Sequence, residues 1–217
     1  MQTINFIISG LGGQGILFMT RVLAGAALDR GYDVMGAETH GMAQRGGSVI
    51  SHLRLGRVRS SLVRTGCAHF MLSLDATESC RNLPFVAEKG RLFSNTSGVH
   101  FPPPALHAYL AKQRIAVYTA PAADMALALN APMSTNLALL GFFSAFQDHP
   151  VATADLRRTV AGLSPSRFRE VNLKVFDKGL TYASFPPAAA PSRTAGSGLP
   201  PERPDRPTGS PRFPENQ

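Results

Sequence analysis

The stretch INFIISGLGGQGILFMTRVLAGAALDRGYDVMGAE, residues 4–38, holds the changes of period that set the fold class. INFIIS (4–9) is a short, isoleucine-rich apolar run without polar alternation, the pattern of a strand buried on both faces. GLGGQG (10–15) breaks the run. Residues 14–31 then turn helical: Ile16, Thr20, Leu23, Ala27 and Leu28 share one side, and Gly31 is placed to end the helix. YDVMGAE (32–38) reads as a second strand. Strand, glycine turn, helix and strand in that order make the repeating unit of an α/β sheet.

The chain beyond continues the alternation. In SVISHLRLG (48–56), Val49, Leu53 and Leu55 fall on one face and His52 and Arg54 on the other; Gly56 suggests a hairpin turn into RVRSSLV (57–63). Further strands are predicted at 69–75, 90–97 and 114–120. Helices are predicted at 76–83, 104–113, 122–130, 135–147, 153–162 and 165–183, with Asp75 as N-cap of the first of these. Strands separated by helices imply parallel pairing through right-handed crossovers. The expected fold is a three-layer α/β domain over residues 1–185, a Rossmann-like open, mostly parallel sheet with helices on both faces. After Phe185 the composition changes. Residues 186–217 carry nine of the 17 prolines and almost no large apolar side chain, which predicts a disordered Pro-rich tail.

The 217 residues are 44% hydrophobic and 17% charged, with a formal net charge of +8. A basic surface points to an anionic partner, but the charges are dispersed rather than clustered, which argues against nucleic acid. The two cysteines, Cys67 and Cys80, form no CxxC pair and by themselves hold neither an iron–sulfur cluster nor zinc, so no metal site is expected. They read as free thiols of a reducing compartment. No basic segment precedes the first apolar run, and no apolar run approaches ~20 residues. The expectation is a cytoplasmic protein with no membrane contact.

Two motifs carry chemistry. Gly10, Gly12 and Gly15, with Gly13 and Gln14 as filling, match G-x-G-x-x-G; bare backbone at a helix start can cradle a phosphate, and Glu38, roughly 20 residues on, stands near where an acidic residue would hold a ribose hydroxyl. The same glycines equally let a helix pack close to a strand with no ligand. The second motif is ETHGMAQRGGSV (38–49). It brings His40, a near-neutral titrating group, together with Gln44, which donates and accepts, and Arg45, a planar fork of donors. Met42 reads as a packing residue. Gly46 and Gly47 permit close backbone approach.

Taken together, GGQG and MAQRGG, with looser agreement through STNLALLGFF (134–143) and FREVNLKVFDKG (168–179), resemble the gamma-type domain of 2-oxoacid:ferredoxin oxidoreductases over most of residues 1–185. HGMAQRGGSV is similar to the indolepyruvate branch of that family. The resemblance implies a subunit of an enzyme that oxidatively decarboxylates an aryl 2-oxoacid such as indolepyruvate to its acyl-CoA and passes the electrons to ferredoxin. It places thiamine diphosphate and the iron–sulfur clusters on a large partner subunit, so that this chain binds no cofactor firmly and is inactive alone. It leaves room for a coenzyme A contact, for which the basic stretch with Arg54, Arg57, Arg59 and Arg64 offers phosphate partners; the alternative reading of that stretch is a solvated hairpin face. The loop containing His40, Met42, Gln44, Arg45, Gly46 and Gly47 then builds the interface beside the partner's active site, and no catalytic residue is assigned. The alternative function is a stand-alone dinucleotide-binding module with a regulatory or scaffolding role, for which the spacing of Glu38 speaks.

Overall fold

The period changes at residues 4–38 are realised as strand, turn, helix and strand in a computed structural model that describes residues 3–40, 46–98, 100–146 and 149–183, the side chain of His40 excepted. The described residues belong to one compact unit, Met1–Pro186; the Pro-rich segment expected to be disordered lies outside the described residues. The strands are β1 (Ile4–Leu11), β2 (Val34–His40), β3 (Ser48–Leu55), β4 (Ala68–Ser73), β5 (Val86–Asn95) and β6 (Ala116–Ala120). The helices are α1 (Ile16–Leu28), α2 (Ala76–Asn82), α3 (Pro104–Gln113), α4 (Ala122–Leu127), α5 (Thr135–Ser144), α6 (Thr153–Leu163) and α7 (Ser166–Ala183). Among the described residues no helix is long and apolar enough to cross a membrane.

The strands form one six-stranded sheet in the order β2-β3-β1-β4-β5-β6. β1, β4, β5 and β6 are parallel, as the intervening helices require. β3 runs antiparallel to both β1 and β2. The reason is length: the link between β2 and β3 is shorter than the ~12 residues that a parallel crossover needs, so the two pair as a hairpin. The sheet is therefore mixed but mostly parallel, with helices on both faces.

Alternation along the strands divides the core. Phe6, Ile8, Leu53, Leu55, Phe70, Leu72 and Phe93 face the layer of α1, α4, α5, α6 and α7. Ile7, Met71 and Leu92 face the other way, against Leu110 of α3, Leu83 and Val63. The first interface is the thick one, and it is aromatic. Phe143 of α5 sets its ring edge on those of Phe6, Phe70 and Phe93, with centroids 6.0, 5.7 and 5.1 Å away. Edge-to-face pairs at such spacing add ~0.5–1.5 kcal/mol each to the area they bury.

Helix α5 is covered on all sides, and α7 forms its outer cover. The two cross where each carries a glycine. A Cβ on Gly141 would lie 2.0 Å from the Phe176 carbonyl oxygen, and one on Gly179 would lie 1.9 Å from that of Ala138. Only glycine lets the two backbones come this close. At the surface, Arg157 of α6 grips Asp177 of α7 with both arms, at 2.8 and 2.9 Å, and Asp155 of α6 accepts from Arg30 just past the end of α1.

Three expectations change. Leu28 does not join the buried stripe of α1; that stripe is Ile16, Met19, Thr20, Val22, Leu23, Ala26 and Ala27, and Leu28, one residue round the helix, is 58% exposed. No strand forms at 57–63, so the expected hairpin after Gly56 is absent. β3 already has β1 and β2 on its two sides, and the 57–66 segment instead folds over the sheet as a loop. β5 starts at Val86 rather than 90, through a bulge: Ala68 pairs with Val86, but Phe70 pairs with Arg91.

Candidate functional site at the carboxyl edge of the sheet

The parallel strands β1, β4, β5 and β6 all end at one edge, where open α/β sheets hold their ligands. The 10–15 loop leaves β1 here, and Gly46 and Gly47 enter β3 beside it. Gly12 N–H donates to Gly47 C=O at 2.8 Å, so the two motifs are joined by their backbones.

The glycine loop is filled by the protein itself. Gln14 folds back so that its Oε1 accepts from Leu11 N–H at 2.7 Å, and Gln14 N–H donates to Leu11 C=O at 3.1 Å. Three amides of the kind that cradle a phosphate, those of Leu11, Gly12 and Gln14, are thus engaged by protein acceptors. Gly15 caps α1 at φ 81°, in the left-handed region that favours glycine. Its carbonyl accepts from Asn136 Nδ2 at 2.9 Å, and a Cβ on Gly15 would lie 2.5 Å from that nitrogen. The STN segment at the start of α5 thereby seals the loop from above. Gly13, at φ 97°, has open space where a side chain would be.

Glu38 does not stand where its spacing suggests. β3 lies between β1 and β2, and Glu38 pairs with Ser51 across it. At ~4.8 Å per strand, Glu38 is one strand farther from the glycine loop than an acidic residue on an adjacent strand would be. Of the second motif, His40 ends β2 opposite Val49. Gly46 is exposed at φ 72°, and Gly47 is half-buried. Met42, Gln44 and Arg45 lie outside the described residues.

The base of that motif is anchored by a residue the sequence reading missed. Glu78 of α2 is 1% exposed. Its carboxylate accepts from Ser48 Oγ at 2.6 Å, from Arg81 Nη1 at 2.5 Å and from Asn82 Nδ2 at 3.3 Å. Ser48 is the first residue of β3, directly after the double glycine. The available signal was Asp75-x-x-Glu78, a capping-box spacing. Asp75 does cap α2, its Oδ1 accepting from Glu78 N–H at 2.9 Å, as expected.

A polar seam holds α2 against this edge. Ser9, Ser73, Ser94 and Thr119 share one register across the four parallel strands. Ser9 Oγ donates to Ser73 Oγ and Ser73 Oγ to Asp75 C=O, both at 2.9 Å; Ser79 Oγ joins Ser94 Oγ at 2.7 Å. These hydroxyls are buried, so their mutual bonds are obligatory, and the small side chains bring α2 close to the sheet. Cys80 on α2 is pushed above the ordinary thiol range by burial, with Asp75 adding to it, which disfavours the reactive thiolate.

The basic 54–64 stretch divides by role. Arg54 is structural: Nε donates to Asn5 Oδ1 at 3.0 Å, and Nη1 to Ser60 C=O at 2.8 Å. His52 Nδ1 accepts from Val63 N–H at 3.2 Å, fastening the same loop. Arg57, Arg59 and Arg64 are exposed. Burial holds both His52 and His69 below the ordinary histidine value, in His69 against a smaller opposing effect of the Asn5 backbone. Among the described residues no three His, Cys, Asp or Glu side chains gather as a metal site would require.

The described part of the edge is thus a built platform whose hydrogen-bonding capacity is largely spent inward. The family model described as pyruvate ferredoxin/flavodoxin oxidoreductase matches residues 5–182. Indolepyruvate oxidoreductase subunit IorB of Methanothermobacter thermautotrophicus is 31% identical over 83% of this chain and 97% of its own length. The protein of the same name from Archaeoglobus fulgidus is 30% identical over 83% and 95%. Among solved structures, the gamma subunit of a keto/oxoacid ferredoxin oxidoreductase from Geobacter sulfurreducens shares the fold, with a TM-score of 0.67, 21% identity and coverage of 83% of this chain and 98% of that one. A 2-oxoglutarate:ferredoxin oxidoreductase from Magnetococcus marinus, solved with 2-oxoglutarate, coenzyme A and succinyl-CoA, aligns at TM-score 0.69 and 20% identity; the match takes 90% of this chain but 33% of that longer one.

Proposed function

Given that the chain belongs to the pyruvate ferredoxin/flavodoxin oxidoreductase family, we propose that it is the small subunit of a thiamine-dependent oxidoreductase that converts an aryl 2-oxoacid, with indolepyruvate first among candidates, to the acyl-CoA and carbon dioxide while reducing ferredoxin. The observation that carries this reading is the likeness to the indolepyruvate oxidoreductase subunits over nearly their whole length. The role of this chain is to present the loop at 39–47, with His40, Met42, Gln44, Arg45, Gly46 and Gly47, to a large subunit beside that subunit's reacting centre.

The residues of this chain do not fit an iron–sulfur cluster. A [4Fe–4S] cluster takes about four thiolates, and the chain has two cysteines. The glycine loop Gly10–Gly15 receives Gln14 and Asn136 in place of a phosphate, which supports close packing as its task. The competing reading, a free-standing dinucleotide module, draws on the G-x-G-x-x-G spacing and Glu38, and the interposed β3 weakens it.

The test is reconstitution. The purified chain, supplied with thiamine diphosphate, coenzyme A and indolepyruvate, is expected to reduce no ferredoxin or viologen dye; addition of the large subunit restores turnover. Arg45→Ala is expected to weaken assembly or raise KM for coenzyme A with the fold intact. Turnover by the chain alone, or saturable NAD binding to it, would count against the subunit reading.

A further inference from the structure

On one side the sheet ends in a strand whose outer edge is open. β2 has β3 on one flank, and among the described residues no strand lies on the other. The phase of the ladder tells which groups are left over. Gly56 N–H donates to Asp33 C=O at 2.8 Å, one step before the Val34–Leu55 pair. Bonded and non-bonded pairs alternate along an antiparallel ladder. Residues 33, 35, 37 and 39 therefore bond to β3, while Val34 and Gly36 turn their N–H and C=O outward. No described group pairs with these outward amides and carbonyls.

Gly36 stands in this edge with no reason inside the chain to be glycine. Its φ is not among the positive ones. A Cβ there would meet the His52 carbonyl oxygen at 3.5 Å, an ordinary contact. Glycine weakens a strand, and where packing does not demand it, it marks the close approach of another backbone. β2 also has no lysine, no proline and no bulge, the devices that keep exposed edges single. Its one acid, Glu38, lies past the outward pair.

The surface beside the edge sets the chemistry of what fits. Met35 pairs with Arg54 across the ladder, and Arg54 Nη1 holds the carbonyls of Ser60 and Leu62. Met35 and Leu62, 37% and 55% exposed, thus flank Arg54 on one face of the sheet. The same loop carries Arg57, Arg59 and Arg64, all exposed and with no described carboxylate on them. A second copy paired antiparallel through β2 would bring both arginine loops to one face of a continuous sheet, like charge beside like. An acidic strand meets them with opposite charge.

We propose that the outer edge of β2 is a docking site for an extended acidic segment of another protein, added as one more strand. Val34 and Gly36 bond its backbone. Its carboxylates lie on the Met35 face, toward Arg57, Arg59 and Arg64. Its alternate, apolar side chains lie on the opposite face, beside Val34 and over the bare Gly36. The proposal does not depend on the reading of the carboxyl edge.

Fluorescence anisotropy with the full-length chain tests it, using labelled peptides of about eight residues. One alternates glutamate with valine, the other lysine with valine. The acidic peptide is expected to bind at low salt with a Kd at or below ~1 mM, about tenfold or more tighter than the lysine peptide, and to weaken as salt rises. Gly36→Pro removes an outward N–H and leaves the β2–β3 ladder whole, so it should keep the wild-type circular dichroism and bind about tenfold more weakly. The double variant Arg59→Glu, Arg64→Glu leaves the strand untouched and is expected to weaken binding at least as much; it reads the same site if Gly36→Pro folds poorly. Absence of binding by the acidic peptide up to ~1 mM, equal affinity for the two peptides, or an affinity unchanged in either folded variant overturns the proposal. So does a dimer in sedimentation that Gly36→Pro dissociates, since the edge would then belong to a second copy.

Discussion

Gly15→Ala asks directly whether the glycine loop is a packing device. The methyl group meets two penalties. At φ 81° an alanine is strained by ~1 kcal/mol or more. Its Cβ would also sit 2.5 Å from Asn136 Nδ2, forcing that side chain off the Gly15 carbonyl it now binds at 2.9 Å, for a further ~1 kcal/mol. The sum, about 2–3 kcal/mol, converts at ~2–4 °C per kcal/mol to a melting point lower by roughly 5–10 °C. The assay is thermal denaturation of the isolated chain followed by circular dichroism, with two controls. Gly13→Ala, at φ 97° with open space around it, should show the strain alone. In an Asn136→Ala background, Gly15→Ala should also fall to the strain alone, a coupling of ~1 kcal/mol between the two sites. A Gly15→Ala chain melting within a degree of the wild type, or strict additivity with Asn136→Ala, refutes the packing account. A rise in melting point on adding NAD would refute it from the other side.

Gly179→Ala drives a methyl to within 1.9 Å of a backbone oxygen that cannot rotate away, so α7 must lift from α5; the expected loss is ~3 kcal/mol or more, read as a urea midpoint shift, and an unshifted midpoint would mean that the helices do not cross there. Glu78→Ala leaves Ser48 Oγ without its acceptor and should cost ~2–3 kcal/mol while impairing binding of the large subunit more than Arg81→Ala does; equal effects would show that only the partly exposed ion pair matters. His52 and His69 have their proton affinity lowered on folding. The unfolded chain therefore binds more protons below its own value of 6.5, and stability must fall with pH there. Their contribution is complete above pH 6.5 and is lost on acidification from that value down through the lower folded ones. Urea midpoints at pH 7.5 and 5.5 should differ, and less so in His52→Gln; the same pH dependence in that variant would remove the histidine from the explanation.

Much of this molecule was legible before its structure. The helices at 76–83, 104–113 and 165–183 and the strand at 4–9 announce themselves by their apolar pattern, and Asp75 acts on its own helix within reach of local rules. What escaped was set by distance along the chain. The antiparallel placement of β3 follows from a link too short for a crossover, but where the resulting hairpin docks depends on β1, and that choice displaced Glu38 from the neighbourhood its spacing promised. Asn136 and Gly15 are far apart in sequence, so nothing local to GGQG says what lies above it. Glu78 carries only a capping-box spacing as local signal; the meeting of α2 with Ser48 makes it an anchor. Leu28 was assigned to the buried stripe because it is apolar, although Ala27 already occupies that place.

The glycine-to-glycine crossing of α5 and α7 also has a consequence in time. α5 is apolar on every side, and the sheet covers only part of it. Until α7 is made, its outer flank, including the notch at Gly141, faces solvent or whatever binds it there. The segment from the end of α5 to the end of α7 takes roughly 2–8 s to synthesise at ~5–20 residues per second. For that interval every nascent copy displays a greasy rod whose natural cover is encoded last. A ribosome that stalls before Ala183 leaves the rod uncovered, and a second unfinished chain is as apt a partner for it as the missing helix.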